Sequence, residues 1–171
     1  MRENTGKVVL VGAGPGDTGL ITMKGMEALK EADVIVYDHL ASPSLLNATK
    51  DEAEWIDASK FAGHHRMKQA EIEELLIEKA MKGQTVARLK GGDPFIFGRG
   101  GEEALALTAA GIEYEVIPGV SSAYSAPAYA GIPITHRGKA SSFHVITGHE
   151  DPTKENSSLD YEILAREEGT L

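Results

Sequence analysis

The sequence predicts an α/β fold: a five-stranded parallel sheet with helices on both faces, followed by the beginning of a second unit. Two observations point to it. Short apolar runs alternate with longer stretches of helical period from residue 7 to residue 119, and this order builds parallel sheets because each strand must be reached by a crossover. After Pro118-Gly119 the texture changes to small residues and prolines, "VSSAYSAPAYAGIPITHRG" (120–138), which marks a boundary. The units are therefore 1–118 and 119–171.

"KVVLVG" (7–12) reads as a buried strand, and "TMKGMEALKEA" (22–32) as a helix with Met23, Met26 and Leu29 on one face and Thr22 as its N-cap. "DVIVYD" (33–38) and "AEWIDA" (53–58) read as strands. "QAEIEELLIEKAMKG" (69–83) is an amphipathic helix through Ile72, Leu75, Leu76, Lys79 and Ala80, stopped by Gly83. "QTVARLKGG" (84–92) is a strand, "GGEEALALTAAG" (100–111) a helix and "IEYEVIPG" (112–119) the fifth strand. The second unit offers one strand, "SSFHVITG" (141–148), and one helix, "SLDYEILAREEG" (158–169). The closing "GTL" reads as the start of a further strand, and a lone strand and helix cannot bury a core.

A chain of 171 residues holds one ordinary domain and part of another. Its formal charge of −9 argues against nucleic acid or an anionic membrane surface as partner, since both select a basic face. A small molecule fits better. The absence of cysteine excludes a disulfide framework and cysteine-ligated zinc and fits a reducing compartment. With no signal-peptide core and no apolar run near the ~20 residues of a membrane span, the expected location is the cytoplasm.

In an open parallel sheet ligands bind beyond the carboxyl ends of the strands. Three such ends carry unusual residues: "GAGPGD" (12–17), Asp38, and "GGDPFIFGRG" (91–100). The first resembles a dinucleotide-binding glycine turn, but Pro15 removes an N–H from the place where an anion would sit, and the next helix starts too late to aim its N-terminus at a diphosphate. The loop is better built for a flat, phosphate-free adenosine, or is a plain connection. Phe95, Ile96 and Phe97, flanked by glycines, form either an adenine-sized pocket or ordinary core. Asp38 can be a proton acceptor, a ribose ligand as in nicotinamide enzymes, or a turn residue. The basic "SKFAGHHRMKQ" (59–69), with Lys60, Arg66 and Lys68, is a solvated face or a site for a polyanion, and Arg99 and Arg137 add cations. His64 and His65 lack a third ligand, so no metal site is expected.

Taken together, "VVLVGAGPGDTGLIT", "ADVIVYDHLAS", "RLKGGDPFIFGRGGEE", "IPGVSSA" and "GIPITHR" resemble the uroporphyrinogen-III C-methyltransferases of the tetrapyrrole methylase family, from residue 7 to the end of the chain. The resemblance implies two α/β/α domains with S-adenosylmethionine bound between them, usually in a homodimer, and methylation of uroporphyrinogen III to precorrin-2, which feeds sirohaem and cobalamin synthesis. It puts Pro15, Gly91, Gly92, Asp93, Ile96, Ser121 and Ser122 on cofactor-binding positions, and Phe97 joins them as pocket wall. Asp38 and Lys60 fall on the proton acceptor and donor. Where the family often has a glycine-lysine pair this chain has Ser59-Lys60. The carboxylates of the substrate call for fixed cations, which assigns Arg66, Arg99 and Arg137 to them. Family members continue further, so the second α/β/α domain is expected to be incomplete and this chain alone to bind cofactor weakly and show no methyl transfer. A nicotinamide-dependent oxidoreductase and a noncatalytic binding module are the competing readings.

Overall fold

The computed structural model describes residues 5–39, 42–59, 67–148 and 159–170. The chain divides into two compact units, Met1–Ser122 and Ala123–Leu171. In the first, β1 (Lys7–Gly12), α1 (Met23–Glu31), β2 (Val34–Tyr37), β3 (Glu54–Asp57), α2 (Gln69–Met81), β4 (Val86–Lys90), α3 (Gly100–Ala110) and β5 (Glu113–Ile117) follow in the predicted order. Short 3-10 helices at Thr18–Leu20 and Pro43–Ala48 were not visible in the apolar periodicity.

The strands form one sheet in the order β3-β2-β4-β1-β5, every pairing parallel. Burial follows from the order. β1 and β4 have neighbours on both sides and are buried along nearly their whole length, whereas β3 and β5, at the edges, stay half exposed. Alternate residues feed two cores, as the period of a strand requires. Val8, Leu10, Val34, Val36 and Val86 pack with Ile72, Leu76 and Ala80 of α2 and Ala104 and Leu107 of α3. Val9, Val11, Ile35, Ala87 and Leu89 pack on the other face with Leu29 of α1 and Leu45.

Two expectations about the helices need correction or refinement. Met23 is 83% exposed. α1 instead buries Gly25 and Leu29. A Cβ on Gly25 would lie 3.1 Å from Val11 Cγ1, so a glycine, not a methionine, sets how closely α1 approaches the sheet. On α2 the predicted face is seen, with Ile72, Leu76 and Ala80 buried and Lys79 pairing with Glu54 of β3 at 2.6 Å.

The topology positions the site. The chain leaving β1 passes beyond β4 to reach β2 by way of α1, while the chain leaving β4 passes beyond β1 to reach β5 by way of α3. These helices cover opposite faces, so the connections diverge and leave a crevice at the carboxyl ends of β1 and β4.

α4 (Ser122–Tyr129) begins on the last residue of the first unit and α5 (Tyr161–Leu164) lies in the second. Here the sequence reading is overturned twice. Residues 141–148 form no strand. Phe143 makes a single parallel bridge with Thr170, supported by His144 N–H donating to the Thr170 carbonyl at 2.8 Å. The helix expected over 158–169 is confined, among the described residues, to α5, capped by Asp160. Its Tyr161 and Ile163 are 60% and 56% exposed, and a short helix that buries no face has little to hold it beyond its cap. The small-residue stretch taken as a boundary contains α4. No helix among the described residues is long and apolar enough to cross a membrane.

Candidate active site

Backbone contacts build the crevice floor. Gly14 N–H donates to the Gly92 carbonyl at 3.2 Å, and Gly92 N–H to the Gly14 carbonyl at 2.8 Å, so the loops after β1 and β4 are zipped together. The end of β5 closes against them. A Cβ on Gly119 would fall 2.1 Å from Gly92 O and 2.7 Å from Gly12 Cα, and one on Gly12 would fall 2.5 Å from Gly119 Cα. Three strand ends meet at a distance that only glycine permits. Gly92 has φ 65°, and a Cβ there would meet nothing within 4 Å, so its α-carbon faces open space.

The loop after β1 is arranged against an anion. Pro15 carries no N–H, and the Asp17 carboxylate caps the first 3-10 turn by accepting from Gly19 N–H at 2.8 Å. The next helix start is closed by Thr22, whose Oγ1 accepts from Gly25 N–H at 3.0 Å, the cap expected from the sequence. A carboxylate thus stands where a diphosphate would need donors.

The loop after β4 is fastened by Asp93. Its Oδ1 accepts from Phe95 N–H at 2.8 Å and its Oδ2 from Gly119 N–H at 3.0 Å, joining the ends of β4 and β5. Phe95, Ile96 and Phe97 are 57%, 41% and 62% exposed, which rules out the plain-core reading. Phe97 and Arg99 adopt φ of 52° and 58°, a strained conformation for residues with side chains that is typical of functional loops. Asp93→Ala should lower both stability, by about 1 kcal/mol since one of the two lost hydrogen bonds is exposed and the other part-buried, and cofactor affinity. Unchanged values in denaturation and calorimetry would contradict this role.

Asp38, just beyond β2, is 18% exposed and lies 3.5 Å from Arg88 Nη2. Arg88 is buried on β4 and pairs through Nε with Glu103 Oε1 at 3.1 Å, while Lys90 Nζ reaches the same oxygen at 3.0 Å. Gln69 Nε2 donates to it at 3.4 Å. Burial, with Arg88 beside it, holds the Lys90 ammonium below the usual lysine value, and Glu103 and Asp38 oppose the fall. Sequence reasoning missed Arg88, Lys90 and Glu103 as site residues. The signal was there: two cations inside "VARLK", a strand otherwise fit for burial on both faces.

The first unit therefore gathers Pro15, Asp38, Gly91, Gly92, Asp93, Ile96 and Phe97 on loops at the carboxyl edge of one sheet. Ser121 is buried just after β5, and Ser122 is exposed at the start of α4. Arg99 is exposed, its guanidinium held by Glu102 through bonds of 2.8 and 2.6 Å, which keeps Glu102 below the usual carboxylate value. Arg137 lies on an exposed turn of the second unit. Lys60 and Arg66, with His64 and His65, lie outside the described residues.

The family model for the Tetrapyrrole (Corrin/Porphyrin) Methylases matches residues 7–171. The chain belongs to this family. It is 56% identical over 171 residues to the S-adenosyl-L-methionine-dependent uroporphyrinogen III methyltransferase of Methanosarcina barkeri, covering all of this chain and 67% of that one. Among solved structures it superposes on the uroporphyrin-III-C-methyltransferase of Thermus thermophilus with TM-score 0.75 and 48% identity, over 87% of this chain and 62% of that one. A structure of the Thermus enzyme complexed with S-adenyl homocysteine matches with TM-score 0.67 and 44% identity, over 81% and 57% of the two chains. This tetrapyrrole methylase chain thus spans about two thirds of the length of these relatives.

Proposed function

We propose that the protein carries out the S-adenosylmethionine-dependent C-methylation of uroporphyrinogen III, two transfers that give precorrin-2 for sirohaem and cobalamin synthesis. The observation that carries this reading is the crevice rim, where Pro15 and the Asp17 cap refuse a diphosphate while Gly92 opens the backbone to a flat ligand. A nicotinamide cofactor has no phosphate seat there, and the related proteins are methyltransferases.

The residues present fit S-adenosylmethionine. Gly91, Gly92 and Pro15 supply close backbone, Ile96 and Phe97 apolar wall, Ser121 and Ser122 polar groups, and Asp93 holds the loop in place. When bound, the cofactor supplies an electrophilic methyl on a cationic sulfur. The site's own contribution is alignment, since fixing the reacting atoms in line is worth ~7–11 kcal/mol. Asp38 accepts a proton from the methylated macrocycle or steadies its positive charge, and Lys60 is assigned as donor. Arg66, Arg99 and Arg137 meet the substrate carboxylates, Arg99 by exchanging Glu102 for substrate. The assembly we propose is a homodimer in the cytoplasm.

The test is incubation of the 171-residue chain, and of the same sequence extended to the length of its methyltransferase relatives, with methyl-labelled S-adenosylmethionine and uroporphyrinogen III under reducing conditions, followed by mass spectrometry of the tetrapyrrole. Addition of two methyl groups by the extended chain is the expected result. Label that stays on the cofactor while the cofactor binds tightly would remove the methyltransferase reading.

A further inference from the structure

We propose that Glu103 is a positioning residue for the transfer step, aiming the Arg88 guanidinium from α3 so that it fixes the Asp38 carboxylate, a role that rests on Asp38 being the proton acceptor proposed above.

Asp38 stands just beyond β2, and the cation beside it is locked. Arg88 is 3% exposed, and its planar guanidinium is tied at two of its three nitrogens. Nε donates to Glu103 Oε1 at 3.1 Å, and Nη1 donates to the carbonyls of Val36 and Leu89, each at 3.3 Å. Once two corners of a rigid planar fork are held, the direction of the third is set. Nη2 is that corner, and it lies 3.5 Å from Asp38 Oδ2. The two carbonyls belong to the sheet, that of Val36 on the same strand that delivers Asp38. Glu103 is the side chain that completes the aim.

Glu103 is itself placed by converging donors. It lies in the first turn of α3 and is 0% exposed, and its Oε1 receives, besides Arg88, Lys90 Nζ at 3.0 Å and Gln69 Nε2 at 3.4 Å. Its Oε2 is buried with no hydrogen-bond partner among the described residues. A carboxylate kept for stability gains most by sharing donors between both oxygens, because a buried acceptor left unpaired retains its desolvation cost. Here three donors crowd one oxygen. Buried ionic clusters are weak support for stability in any case, whereas a carboxylate that must meet a reacting proton needs a defined place, since an error of ~1 Å can cost ~10²-fold in rate. The one-sided bonding of Glu103 serves direction.

The experiment has two arms. Glu103→Asp keeps the negative charge that Arg88 and Lys90 need, so the fold should persist, but draws the carboxylate back by one carbon–carbon bond, ~1.5 Å. In the 171-residue chain, at one fixed pH above the range in which carboxyl groups titrate, this should displace the Asp38 carboxyl-carbon resonance, assigned by its loss in Asp38→Asn. In the same sequence extended to the length of its methyltransferase relatives, Glu103→Asp should lower turnover at saturating cofactor and substrate ~10–10²-fold and leave the S-adenosylmethionine dissociation constant at the parent value. It should cost nothing further in the Asp38→Asn background, as a double-mutant cycle requires when one residue acts only through the other. Arg88→Lys, which breaks the same link from its other end, should repeat both results and decides the matter if Glu103→Asp does not fold. An unmoved Asp38 resonance, or a loss of turnover as large in the Asp38→Asn background as in the parent, overturns the proposal. Full turnover in Asp38→Asn alone removes Asp38 as acceptor, and the positioning role with it, even where the resonance moves, so the two failures are told apart.

Discussion

Gly119→Ala is expected to destabilise the first unit by about 4 kcal/mol or more, at the extreme of single substitutions. The new methyl would lie 2.1 Å from Gly92 O and 2.7 Å from Gly12 Cα. Both are backbone atoms pinned by sheet pairing and by the Gly14–Gly92 bridge, so no rotamer change relieves the clash. Trp55, the sole tryptophan, lies on β3 of the same sheet, and its fluorescence during denaturant unfolding reports on this unit. Gly92→Ala makes the informative contrast. Its methyl meets nothing within 4 Å, so the cost is the left-handed backbone alone, about 1–2 kcal/mol. The methyl does project from the crevice floor, and S-adenosylmethionine affinity should fall at least about tenfold. A Gly119→Ala unfolding midpoint equal to the parent's would show that the three strand ends are not packed as described.

In this sequence extended to the length of its methyltransferase relatives, Asp38→Asn should lower turnover by a factor of ~10²–10⁴, while the S-adenosylmethionine dissociation constant stays put. The amide keeps the shape of the side chain, and Arg88 retains Glu103 and the carbonyls of Val36 and Leu89, so the fold should persist. Rapid-quench measurement of methyl transfer at saturating cofactor separates the roles. Weakened cofactor binding with full turnover at saturation would make Asp38 a ribose ligand and end its assignment as proton acceptor.

Much of this arrangement was legible because the first unit obeys local rules. β1 and β2 are apolar runs and the other three strands interleave apolar with charged residues, all bounded by turn residues, and Thr22, Gly83 and Gly111 mark helix ends where they were expected. The candidate site was legible through its loops: Pro15 and the glycines announce irregular backbone, and regular elements cannot supply that. What stayed hidden depends on long-range proximity. Nothing near Gly119 in sequence says that its neighbour is Gly92, or that its N–H donates to Asp93. Likewise Glu103 sits in a helix that looks uniformly apolar with two solvated acids, yet one of them is fully buried on Arg88 and Lys90. Met23 misled for a simpler reason, because periodicity marks a face but not how close the helix comes, and Gly25 decides that. In the second unit propensity pointed to a strand and a long helix, but local preference holds such segments only when a packed face supports them.

The crevice after β1 and β4 should accept a phosphate-free adenosine cofactor and refuse a dinucleotide. Isothermal titration of the chain with S-adenosylmethionine, S-adenosylhomocysteine and NAD tests it most directly. Saturable binding of the first two, weakened in Gly92→Ala, and no heat from NAD at the same concentrations are the expected results. Saturable NAD binding, weakened by Asp38→Asn, with none of either adenosyl sulfur compound, would contradict it.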